Sequence, residues 1–206
     1  MNKGFTLVEL LVVIAIIGIL AAIVVPSYVS IRGQSKRTAM KNDLHRISMA
    51  LETYQKDFGK YPPTVLTEKS DDVQLQNAVN NGIESLTACL MTKNLNGPYL
   101  EWDEKRYANT DRDGVNKNVT NWFFGDKQLR ELTDIWGNPI IYINSRDYKS
   151  PKKIGKYLNR RQQTYAPQPV ANPNTKTFVN PMKFQLWSIG PNGRNENGGE
   201  DDVSGW

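Results

Sequence analysis

The chain has 206 residues, with 26 lysines and arginines against 21 aspartates and glutamates, one histidine and a net charge of +5. That length suits one small soluble domain beside an apolar segment and requires no second domain. The one cysteine, Cys89, excludes a disulfide within the subunit. No histidine and cysteine spacing for a metal, no phosphate loop and no nucleophile with a nearby histidine is present, so no recognisable active-site pattern argues for an enzyme.

The first predicted element is an apolar run from Phe5 to Val25, interrupted only by Thr6 and Glu9. As a helix it would be about 31 Å long at about 1.5 Å per residue, enough to cross a hydrocarbon core. Lys3 gives it a basic start, but no A-x-A cleavage signal follows, which argues against a secretory signal peptide. Pro26 removes a helical hydrogen bond, so a kink or loosening is expected there. Beyond it Met40, Leu44, Ile47, Leu51, Tyr54 and Phe58 recur at alternating steps of four and three, which makes one apolar stripe on a helix. The opposite face, with Lys41, Asp43, Arg46 and Glu52 among its charges, is expected to meet solvent or neighbouring subunits. One long helix therefore runs to Phe58, where Gly59 and the pair Pro62-Pro63 end it. An ionised Glu9 inside an apolar helix marks a pairing function by default.

The string Lys3-Gly4-Phe5-Thr6-Leu7-Val8-Glu9, followed by an apolar helix with Pro26 inside it, resembles the leader and amino-terminal helix of type IV pilins and type II secretion pseudopilins. The resemblance implies that a prepilin peptidase cuts after Gly4 and that the new amine of Phe5 is methylated. It also implies that Glu9 faces the Phe5 amine of a neighbouring subunit in a filament, and that the helix around Gly18 and Pro26 extends when subunits pack.

Cys89 falls in "GIESLTACLM", a short helix in which a buried, inert thiol is expected. "GIESL" at Gly82 to Leu86, Tyr99-Leu100 and "DIWGNPIIYI" at Asp134 to Ile143 are similar in order to segments of the major pseudopilins. In the last of these, Gly137-Asn138-Pro139 is a turn signal and Ile140 to Ile143 the strand that leaves it. A second strand is expected over Lys183 to Ser188, with Phe184, Leu186 and Ser188 on one face. The fold class is α+β, a long α-helical spine with a small antiparallel sheet packed on its carboxy-terminal half.

Two polar regions stand apart from that pattern. In "NTDRDGVNKNVT", Asn109, Asp111, Asp113 and Gly114 fit the opening of a calcium loop, although Thr120 stands where the twelfth-position glutamate belongs. The basic stretch with Lys149, Lys152, Lys153, Lys156, Arg160 and Arg161 is interleaved with Tyr148, Tyr157 and Tyr165, a composition that can grip nucleic acid but more often forms a solvated loop. At the carboxy terminus, "SIGPNGRNENGGEDDVSGW", glycines, amides and acids crowd a segment that hydrophobic packing is not expected to hold. The resemblance implies that a similar string in major pseudopilins wraps a calcium ion. Carried over, Ile189 supplies a backbone carbonyl, Asn192 the first acidic position and Asp202 the second, with Asp201 and Glu200 close by.

The expected organisation is a leader over 1–4, a transmembrane helix over 5–25, an amphipathic continuation over 26–58 and a pilin-like globular domain over 59–206. The expected function is that of a structural subunit of a type II secretion pseudopilus, with a type IV or competence pilin as the alternative. The partners implied are further copies of the chain, minor pseudopilins, the inner-membrane assembly platform, prepilin peptidase and the inner membrane, with the globular domain in the periplasm. Nucleic acid is not expected among them.

Overall fold

A long helix, α1, spans Leu7–Phe58 in the computed structural model, which describes residues 6–65, 78–92, 96–114 and 128–206, without the side chains of 23–30. The chain divides into two units, Met1–Ala39 and Met40–Trp206. In the first, every described leucine, isoleucine and valine from Leu7 to Leu20 is exposed, so this stretch of helix is apolar all round. A helix of that kind is built for lipid or for other helices. Pro26 lies within α1, whose helical assignment runs through it without interruption.

In the second unit the stripe behaves as its spacing requires. Met40, Leu44, Ile47, Leu51 and Tyr54 are fully buried, and Phe58 is half-buried against the same core. The helix stops where Gly59 takes a positive φ of 68° and its N–H closes on the Gln55 carbonyl at 2.8 Å. The chain is then pinned to the sheet. Pro62 O accepts from the Tyr142 hydroxyl at 2.7 Å and from Asn144 Nδ2 at 2.8 Å, and the Thr64 hydroxyl donates to Asp147 at 2.7 Å.

Short helix α2, Asn81–Met91, is buried over nearly its whole surface, Cys89 included. Strand β1, Tyr107–Ala108, pairs antiparallel with β2, Glu131–Leu132. Strand β3, Ile141–Asn144, pairs antiparallel with β6, Phe184–Ser188, in the register Ile141 with Trp187 and Ile143 with Gln185. Between them lie the one-turn helix α3, Pro151–Ile154, and the small ladder of β4, Tyr157–Leu158, with β5, Thr164–Tyr165. Strand β7, Val203–Ser204, completes a three-stranded sheet of order β3-β6-β7.

The two expected strands are therefore present, each beginning one residue later than the apolar run suggests. The one-face reading of β6 is too narrow, because all five of its residues are buried. Gln185 shows how a polar residue fits there: its amide bonds Val170 N, Val170 O and Val179 O at 2.7, 2.7 and 2.8 Å, replacing a strand partner for that loop. The solvated face expected on α1 is also corrected at several points. Asp43 accepts from Arg106 at 2.6 Å, Glu52 pairs with Lys183 at 2.8 Å, and Arg46 donates to Glu101 O at 2.9 Å, so these charges fasten the helix to its own domain.

Candidate assembly motif and cation site

Gly4 and Phe5, the expected processing residues, lie outside the described residues. Glu9 is described, and it has a partner within its own helix. Its Oε2 accepts from both the backbone N–H and the hydroxyl of Thr6 at 2.8 Å, while Glu9 N donates to the Thr6 hydroxyl at 3.2 Å. With Leu10 N donating to Thr6 O at 3.2 Å, Thr6-x-x-Glu9 is a capping box that satisfies the first donors of α1. The sequence reading missed this although the Thr-x-x-Glu signature was in view. Among the described residues no helix is long and apolar enough to cross a membrane, the described side chains of the apolar run ending at Ala22.

The carboxy-terminal site is built on the turn after β2. Asp134 is buried, its Oδ1 accepting from Trp136 N and Asn138 N at 2.8 and 2.9 Å and its Oδ2 from the Ser188 hydroxyl at 2.6 Å. Burial raises its pKa against those hydrogen bonds. Asn138 then reaches across, donating to Gly190 O at 3.2 Å and accepting from Arg160 N at 3.2 Å. Gly190, at a φ of 65°, sits so close to Asp201 that a Cβ would collide with the Asp201 carbonyl. The "WGN" turn thus positions the loop that follows β6.

In that loop, carboxylate oxygens of Glu196, Asp201 and Asp202 lie within 4.8 Å of one another. Asp202 Oδ2 accepts from Glu196 N at 3.0 Å and Gly198 N at 2.7 Å, and Asn192 N donates to Asp201 Oδ2 at 3.1 Å. Burial, with Glu196 beside it, pushes Asp202 up to about 7. Asp201 and Asp202 come together as expected. Glu196 is a member that the sequence did not point to, and Glu200, expected close by, is exposed. Asn192 is at the site but presents its amide nitrogen, donating to Glu196 at 3.0 Å and to Asp201. Its Oδ1 accepts from Arg194 N, so it can serve as a ligand only after the amide turns over. Ile189 is fully buried. Hydrophobic packing also holds this segment, contrary to expectation: Val203 is buried, and Trp206 stacks edge-on against Trp187 with ring centroids 5.9 Å apart.

The calcium-loop reading of Asn109, Asp111 and Asp113 is rearranged. The Asn109 amide closes on the backbone of Asp113, accepting from its N–H at 3.0 Å and donating to its carbonyl at 2.5 Å. Asp111 instead meets Glu84 of α2 and Glu131 of β2, the three carboxylates having oxygens within 4.8 Å of one another. Position Thr120 lies outside the described residues. In the basic stretch, Tyr148 and Tyr157 are buried and Tyr165 is half-buried, so these rings serve the core and do not form a stacking platform. His45 is exposed on α1.

Comparison with known proteins agrees with this geometry. The model of the prokaryotic N-terminal methylation motif matches residues 1–25. With a helix and a small antiparallel sheet behind it, that motif defines a subunit of the type IV pilin-like class. The chain is 49% identical over 143 residues to the type II secretion system core protein G of Pseudomonas aeruginosa, covering 69% of this chain and 73% of that protein. It is 27% identical over 147 residues to the core protein G of Escherichia coli, covering 71% and 75%. The type IV major pilin protein PilA of Myxococcus xanthus matches at 49% over 57 residues, only 28% of this chain and 24% of that pilin. The chain belongs to the type II secretion system core protein G family. No solved structure matches it.

Proposed function

We propose that this chain is the major structural subunit of a type II secretion pseudopilus, a filament that drives folded proteins across the outer membrane. The observation that carries the reading is the identity to a core protein G over more than two thirds of both chains, where likeness to a pilin ends after 57 residues. The amino-terminal motif supports processing by prepilin peptidase after Gly4, with methylation of Phe5. The exposed apolar surface of α1 supports anchoring in the inner membrane before assembly and helix packing after it, with the globular unit in the periplasm. In the filament, Glu9 exchanges its Thr6 contacts for the Phe5 amine of a neighbour. Minor pseudopilins and the inner-membrane platform are the remaining partners in this reading.

A calcium ion belongs to the same proposal. The carboxy-terminal loop offers oxygen donors only, and Glu196 Oε2 is buried there without a hydrogen-bond partner, which fits a hard cation. Glu196, Asp201 and Asp202 would hold it, with the Ile189 carbonyl and a turned Asn192 amide as further ligands. Bound, it would cross-link a loop that is otherwise rich in glycine.

The test is a deletion strain. Secreted hydrolases should remain in the periplasm while surface pili persist; lost pili with intact secretion would establish the competence or type IV pilin reading instead. Glu9→Leu should insert in the membrane and assemble poorly, and a normal filament yield would remove the pairing role.

A further inference from the structure

Of the four acidic side chains where α2 meets the β1–β2 ladder, Glu84 and Glu131 are almost wholly buried and Asp113 nearly so. Glu84 is 1% exposed and faces Asp113 carboxyl to carboxyl, and no amide, hydroxyl or cation donates to the oxygens of either residue. The charged neighbours of Glu84 among the described residues are Asp113, Glu131 and Asp111, all of one sign. Glu131 is held in place from behind, accepting from Asn80 Nδ2 at 3.1 Å and Thr110 N at 2.7 Å. A buried carboxylate without donors is strongly disfavoured when ionised, and charges of one sign gathered around it disfavour it further.

We propose that Glu84, Asp111, Asp113 and Glu131 form a second divalent-cation site, of the calcium class, separate from the carboxy-terminal loop. The geometry suits such an ion. Oxygens of Glu84, Asp111 and Glu131 lie within 4.8 Å of one another, and two ligands facing each other across a calcium ion at about 2.3 to 2.6 Å stand about that far apart. The donors are all oxygen, and four carboxylates can furnish the six to eight ligands, roughly, that calcium prefers over the tighter octahedron of magnesium. Its function follows from which elements it joins. Glu84 sits in the first turn of α2, Glu131 on β2, and Asp111 and Asp113 follow β1, so the ion would fasten the chain that leaves β1, and β2 itself, to a buried helix.

The test uses the full chain in detergent micelles, stripped with EDTA and titrated with calcium chloride by calorimetry. Wild type should bind two ions. Glu84→Gln, close to isosteric, should bind one, and Asp201→Asn/Asp202→Asn should keep the ion lost from Glu84→Gln. Melting gives an independent readout with a change of sign. In EDTA, Glu84→Gln should melt at or above wild type, since an amide cannot ionise among the acids around it; in calcium it should melt below. Unchanged stoichiometry in Glu84→Gln overturns the second site whatever happens at the first, and so does a Glu84→Gln that melts below wild type equally in EDTA and in calcium. Asp111→Asn repeats the measurement should Glu84→Gln fail to fold, and an Asp111→Asn protein that keeps both ions overturns the site as well.

Discussion

The two acidic clusters of the globular unit are assembled in opposite ways. At the carboxy terminus Glu196, Asp201 and Asp202 come from one loop of seven residues, and backbone N–H groups of that loop already serve Asp202. At the other cluster Glu84, Asp111 and Glu131 come from three separate elements, and no amide, hydroxyl or cation donates to Glu84. The first is a loop whose own backbone already serves part of its charge, leaving Glu196 Oε2 without a donor. The second gathers charges that the hydrophobic core forces together, because α2 is buried on the ladder for its leucines and isoleucine and carries Glu84 in with them. Local clusters of acids can be satisfied by their own backbone, whereas clusters made by tertiary packing depend on whatever neutralises them.

The harshest way to break the comparison is to weaken the packing that creates the second cluster. Leu51 is fully buried in the core shared by α1, α2 and the sheet. Leu51→Ala should destabilise the globular unit by about 2 to 5 kcal/mol, seen as a lower thermal midpoint of the full chain in micelles. An unchanged midpoint would mean that this face of the helix does not carry the domain.

Calcium separates the clusters next. An ion bound only by the folded state at about a thousandfold excess over its Kd adds about 4 kcal/mol. Asp202→Asn should lose most of the calcium-induced rise in midpoint that belongs to the carboxy-terminal loop. Because the amide oxygen of that variant can still accept a backbone N–H, its midpoint in EDTA should move much less. A rise that survives in Asp202→Asn, with the same size as in wild type, would remove the ion from this loop.

Acidity sharpens the contrast further. Burial pushes Glu131 from an ordinary value of 4.5 up to about 8 and Asp113 from 3.8 up to about 7, with Asp111 adding to both. A carboxyl whose folded pKa is raised contributes stability that is fully present below its unfolded pKa and is lost as pH rises through the folded one. In EDTA, the midpoint should therefore fall between about pH 5 and pH 8, by an amount corresponding to at least one pK unit, about 1.4 kcal/mol. Glu131→Gln should flatten that slope. A metal-free midpoint that climbs steadily over this range would contradict the buried cluster.

What could be read from the sequence follows the same division between local and distant. The stripe Met40 to Tyr54, the stop at Gly59 and the "DIWGNP" turn are written in consecutive residues, and the structure bears them out. Asp201 and Asp202 were legible for the same reason. Glu84 was not, because its partners lie 27 and 47 residues away in Asp111 and Glu131. One signal was available: a glutamate as the one charge inside "GIESLTACLM" must have a partner if that helix is buried. Glu131 and Arg106 offered no such cue, since charges in "RELTD" and "EKRY" read as surface until the ladder of β1 and β2 is known. The polar face of α1 misled in the same way, as periodicity says which face is apolar but not that Asp43 and Glu52 are claimed by Arg106 and Lys183.

The smallest effect concerns Thr6, where a local signature was present and overlooked. Glu9 drew attention as a charge in an apolar helix, yet its carboxylate is held by the Thr6 amide and hydroxyl, which makes it the third residue of a capping box. The cap engages Oε2 of the same carboxylate that pairing with a neighbour's amine requires, and the two roles separate in their mutants. Thr6→Ala removes the hydroxyl that accepts from Glu9 N and should cost the start of α1 about 1 kcal/mol, seen as faster amide hydrogen exchange at Glu9 and Leu10 in micelles, with Thr6→Ser restoring wild-type rates. The Glu9 carboxylate remains, and its attraction to an amine does not depend on the cap. Filament yield in Thr6→Ala should therefore stay close to wild type while Glu9→Leu falls well below it. Equal losses in the two variants would mean that the order of the first turn, and not the charge of Glu9, limits assembly.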